Sequence, residues 1–125
     1  MIIRLQMRFE GSKGERNLYA LFDSGATYSC IHQEVAEELE VHTPMRMVTA
    51  TASTFMEIKH RVALDFYHYD TRLTEEFYVI PDLSEQVIIG ASTMQKWRIK
   101  LDFENDTIIL DPTIAKAILI NFIKV

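Results

Sequence analysis

The chain has 125 residues, 48% of them hydrophobic and 25% charged, a balance that suits one globular core without disulfide staples. Its net charge of −5, with lysines and arginines scattered, argues against a nucleic-acid partner, because nothing in it would neutralise phosphates. The lone Cys30 excludes an internal disulfide, residues 1–6 lack the apolar core of a signal peptide, and no run is long enough to span a membrane. The expectation is one cytoplasmic domain over residues 1–125 with no membrane partner.

Most of the chain reads as strand. Ile3, Leu5, Met7 and Phe9 alternate with polar residues, a half-buried strand pattern, and the run 10–15 is a turn rich in glycine and charge. Residues 17–22 form a second strand that ends on Asp23. A small-residue loop follows, then a short strand at 28–31. Residues 32–40 read as a helix with Val35, Ala36 and Leu39 on its apolar stripe and Glu34 in the first turn, where it suits the dipole. Residues 45–52 and 55–69 form a long hairpin, with Val62, Leu64, Phe66 and Tyr67 marking its core side. A strand at 73–80 stops at Pro81, Val87–Ile89 is a short apolar strand closed by Gly90, and 91–97 is one or two helical turns. A closing hairpin spans 99–110. The tail from Pro112 stays open between two readings: Ile114, Ala117, Ile118 and Phe122 could line a helix, while its β-branched content favours a strand. Many short strands with one or two short helices predict an all-β closed barrel.

The chemistry centres on Asp23-Ser24-Gly25. An aspartate at the end of a buried strand is costly unless its charge is paired or used. One carboxylate hydrolyses an amide poorly, since the reaction needs a base for the water and an acid for the carbonyl oxygen. Two carboxylates that share one proton supply both. The chain holds one such triplet, so a second aspartate must come from a second copy about a two-fold axis. Read by itself, the triplet is more often a structural turn.

Joined to Ile88-Ile89-Gly90 and the short helix after it, the triplet resembles the retropepsin-like aspartic proteases, homodimeric single-domain relatives of pepsin. The likeness runs from about Asn17 to Leu110, in the same order of elements. The resemblance implies a retropepsin-like fold and peptide-bond hydrolysis with no cofactor and no metal. It implies Asp23 as the catalytic residue, Ser24, Gly25, Ala26 and Thr27 as its loop, and Ser24 reaching across a homodimer. Ile88, Ile89 and Gly90 would support that loop. Thr49, Ala50, Thr51, Ala52, Ser53 and Thr54 would form the tip of a flap over a peptide or protein substrate. Ala26 adds no hydroxyl, which implies a less acidic dyad and activity at mildly acidic pH. Terminal strands build the interface sheet of that family, and 2–7 with 114–125 are the candidates.

Two departures stand out. The flap tip has no glycine between Met47 and Phe55, so it is expected to be stiff. Thr27 and Ala91 stand where the viral enzymes carry an acid–arginine pair, so that brace is absent. A weak or inactive peptide-binding or dimerisation module is therefore the alternative. His60 and His68 read as ordinary strand residues, Cys30 as a small buried apolar residue, and Trp97 as a core anchor.

Overall fold

The computed structural model describes residues 2–50 and 53–123. β1 (Ile2–Gly11) and β2 (Gly14–Asp23) form an antiparallel hairpin in register from Ile2 opposite Asp23 to Gly11 opposite Gly14. β2 pairs in parallel with β7 (Val87–Ile89), and β7 pairs antiparallel with β3 (Cys30–His32). β3 runs parallel to β6 (Thr71–Ile80), which pairs antiparallel with β5 (Phe55–His68). β5 returns to β1 at Arg8, Phe9 and Glu10, opposite Tyr67, Phe66 and Asp65. That last ladder closes six strands into a barrel, and β4 (Thr43–Ala50) extends it from β5 alone. The expected all-β closed barrel is therefore present.

Alternation drives the core, because successive side chains on a strand point to opposite faces. Ile3, Met7 and Phe9 of β1, Leu18, Ala20 and Phe22 of β2, and Val62, Leu64 and Phe66 of β5 are all buried. Phe9 stacks on Phe66 at 5.4 Å, and both meet Phe77 edge-on at 6.0 Å. Such pairs add about 0.5–1.5 kcal/mol each beyond the area they bury. The same period corrects one expectation. Tyr67 follows Phe66 and so cannot share the core; it faces outward, with the Arg8 guanidinium 3.8 Å from its ring centroid and its hydroxyl donating to Glu10 at 3.2 Å.

Three helices are present among the described residues, where one or two were expected. α1 (Gln33–Leu39) buries Val35, Ala36 and Leu39, and its cap is the His32 side chain, which accepts the Glu34 N–H at 3.1 Å. α2 (Ala91–Trp97) follows β7 directly. Trp97 is fully buried and donates Nε1–H to the Thr74 carbonyl at 3.1 Å, anchoring α2 to β6. β8 (Lys100–Asp102) and β9 (Thr107–Ile109) make a separate two-stranded sheet.

The tail is a helix, α3 (Pro112–Ile123), packed on β6 and α2. The strand reading and the interface-strand assignment for 114–123 are therefore corrected; residues 124 and 125 lie outside the described residues. Capping outweighs β-branched propensity here. Asp111 accepts the Thr113 N–H on Oδ1 at 2.9 Å, and Pro112 occupies the first helical position, where its missing N–H costs nothing. Ile114, Ala115, Ile118 and Leu119 form the inner face, and Ala117 is exposed.

Candidate active site

β2 carries Asp23 to the rim of the barrel, one residue beyond the Phe22–Ile89 pairing with β7. The chain then turns back, with Ala26 N–H donating to the Asp23 carbonyl at 3.1 Å. Gly25 N–H donates to Asp23 Oδ1 at 2.9 Å, so a main-chain group orients the carboxylate. Asp23 and Ala26 are half-buried, and Ser24, Gly25 and Thr27 are exposed. The carboxylate thus sits at a strand end with its loop open to solvent.

The loop rests on the start of α2. Gly90, its cap residue, has no side chain to satisfy the helix's first N–H groups, and the Asp23 loop satisfies them instead. Ala91 N–H donates to the Ala26 carbonyl at 2.7 Å, and Ser92 N–H to the Thr27 carbonyl at 3.1 Å. Gly90 N–H donates to Ser29 Oγ at 3.0 Å. Main-chain bonds thus tie together the two segments for which Thr27 and Ala91 provide no side-chain ion pair. The approach requires glycine at 90, since a Cβ there would lie 2.5 Å from the Tyr28 carbonyl oxygen. Ile88 and Ile89 stand behind the loop on β7; Ile89 is fully buried and Ile88 half-buried.

Sequence reasoning missed the hydroxyl pair in this support. Ser29 Oγ and Thr93 Oγ1 lie 2.5 Å apart, and both residues are buried. The available signal was a serine and a threonine within segments otherwise destined for the core, on either side of Ile88-Ile89-Gly90.

The hairpin of β4 and β5 is registered to Ala50 opposite Phe55. Met47, Thr49, Met56 and Ile58 share one face, and Val48, Ala50, Phe55 and Glu57 the other. Thr49 is half-buried, while Ala50, Ser53 and Thr54 are exposed. Thr51 and Ala52, also assigned to the tip, lie outside the described residues. Phe55 is 75% exposed, an apolar side chain presented at the head of β5.

Cys30 offers no competing nucleophile, since burial pushes its thiol up to about 11 and keeps it protonated near neutrality. His42 and His60 meet at the base of the hairpin with ring centroids 5.5 Å apart. Burial, then the neighbouring His60, lower the His42 pKa. Among the described residues no cluster of three or more His, Cys, Asp or Glu could hold a metal ion.

A barrel of this topology, with an aspartate loop seated on an apolar-apolar-Gly strand and helix, defines a retropepsin-like protein. The chain belongs to the aspartyl protease family, whose sequence profile matches residues 5–93. Its fold is similar to that of the retroviral protease-like domain of Ddi1 from Leishmania major, with a TM-score of 0.68 and 22% identity. The similarity covers 89% of this chain and 90% of that one. No curated protein matches the chain.

Proposed function

We propose that this chain is an aspartic endopeptidase that works as a homodimer, with one Asp23 from each copy forming the catalytic pair. The observation that carries this reading is the Asp23 carboxylate at the end of β2, oriented by the Gly25 N–H within a loop held by α2. A single triplet per chain makes the second copy a chemical requirement.

In the pair, one carboxylate is ionised and the other keeps its proton, because like charges at short range cannot both ionise. The ionised one takes a proton from water as the water oxygen attacks the peptide carbonyl carbon. The protonated one gives its proton to the carbonyl oxygen. As the tetrahedral diol collapses, the carboxyl that took the water's proton gives it to the nitrogen, the other carboxylate takes a proton from a diol hydroxyl, and the C–N bond breaks to leave acid and amine; no covalent enzyme intermediate forms. Ser24, Gly25, Ala26 and Thr27 hold the pair, and Ile88, Ile89 and Gly90 back the loop. The hairpin tip at 49–54 covers an extended peptide or protein substrate that adds as a strand through main-chain hydrogen bonds.

The test is cleavage of a peptide library by purified wild type and Asp23→Asn across about pH 4 to 7, the range in which such a pair can hold one proton. Cleavage by wild type alone, with fold and dimer unchanged in the variant, supports the assignment. Cleavage that survives in Asp23→Asn overturns it. A folded dimer that binds peptides and cuts none identifies a binding module instead.

A further inference from the structure

Beside Ser24 lies a cavity of about 580 Å³ between α2 and β8. Its floor is apolar, formed by Ala91, Met94, Ile99 and Leu101, and its charged lining is Arg98 and Lys100 with no acidic residue. Arg98 is exceptional in this chain. The other six of its seven arginines each sit in an ion pair with Glu or Asp, and among the described residues Arg98 has none. Its backbone is held in the left-handed conformation at the end of α2 (φ 54°), so the residue stands at a defined place on the cavity rim.

The complement to this cavity is on the same chain. The turn between β8 and β9 presents Phe103, 45% exposed, followed by Glu104 and Asp106, both exposed and in no ion pair among the described residues. An apolar ring followed by carboxylates matches an apolar floor rimmed by two cations. Any two-fold axis that brings two Asp23 carboxylates together must bury the exposed loop at Ser24 and Gly25, and the cavity opens from Ser24. The cavity thus borders the surface that a second copy would cover, the turn continues directly from β8 in the cavity's lining, and a two-fold interface requires such self-complementarity.

We propose, building on the homodimer above, that the α2–β8 cavity of each copy receives the β8–β9 turn of the other. Phe103 enters the apolar floor, and Glu104 pairs with Arg98. The occupant is a second copy of this chain, and the contact appears twice in the dimer.

Sedimentation equilibrium of the full chain tests this with Arg98→Glu, Glu104→Arg, the double reversal and Phe103→Ala, each checked for folding by circular dichroism. Each single charge reversal is expected to raise the dimer Kd by about tenfold or more, and the double reversal to restore it. Phe103→Ala is expected to weaken the dimer without altering its salt dependence. A wild-type dimer that neither reversal weakens overturns the cavity assignment and leaves the dimeric protease standing. Weakening by both reversals without recovery in the double variant overturns the Glu104–Arg98 pairing. A wild type that stays monomeric at every concentration overturns both readings.

Discussion

Ser29 Oγ accepts the Gly90 N–H at 3.0 Å and so joins two segments 61 positions apart in the chain. One follows Asp23 and the other opens α2. With Thr93 Oγ1 2.5 Å away, the hydroxyl sits in a buried polar knot inside an otherwise apolar wall. Buried polar groups of this kind cost little when satisfied and much when one partner is removed.

Ser29→Ala removes the acceptor and leaves the Gly90 N–H buried without its partner. The expected loss is about 1–3 kcal/mol of stability, read as a lowered urea midpoint with the slope unchanged. Ser29→Thr keeps the hydroxyl and should recover most of it. An unchanged midpoint in Ser29→Ala would show that the knot contributes nothing.

Gly90→Ala acts by crowding. Its methyl group would meet the Tyr28 carbonyl oxygen at 2.5 Å and its carbon at 2.6 Å, both main-chain atoms that cannot swing aside. Overpacking of this kind costs about 1–3 kcal/mol, and relief requires the Asp23 loop to move. Thermal melting should show the destabilisation, and under the proposed protease function peptide cleavage should fall further than stability alone explains. A variant with wild-type melting would refute the close approach.

The Cys30 thiol should be unreactive in the folded protein. Burial pushes it up to about 11, so little thiolate exists at pH 8. Alkylation by iodoacetamide is expected to be slow in buffer and to speed up to the rate of an ordinary thiol in denaturant. Equal rates in both conditions would contradict the burial argument.

His42 should make the protein acid-sensitive. Burial first, and His60 second, hold its pKa below the ordinary 6.5, partly offset by Glu37. The unfolded chain therefore binds the proton more readily. Stability is complete above about pH 6.5 and falls as pH drops toward the folded pKa, since protonation favours unfolding. His42→Phe should flatten the part of the stability–pH curve just below 6.5, measured by urea unfolding at a series of pH values. An identical slope in wild type and variant would exclude His42 as the source.

Much of the fold was legible because strands announce themselves by period. The alternation through Ile3, Met7 and Phe9 marked β1, and Val87–Ile89 and Ala91–Trp97 fall where the apolar run, Gly90 and the following helical pattern placed them. Position along the chain also marked Asp23 at the end of β2. The tail was not legible from propensity, because one cap outweighed five β-branched residues: Asp111 and Pro112 start α3, and packing on β6 and α2 completes it. Tyr67 was misplaced because its hydrophobicity was weighed above its parity with Phe66.

By itself, then, the sequence determined the strand periods, the Asp23-Ser24-Gly25 loop and the short apolar strand ending at Gly90, each of which depends on residues near one another in the chain. Only the tertiary structure decided how the loop is held. Setting β7 between β2 and β3 brings residues 26–29 against residues 90–93, and only there do the first N–H groups of α2 find the Ala26 and Thr27 carbonyls and the Ser29 hydroxyl. Those bonds satisfy groups that any other arrangement would bury unpaired, which is why no local pattern could announce them.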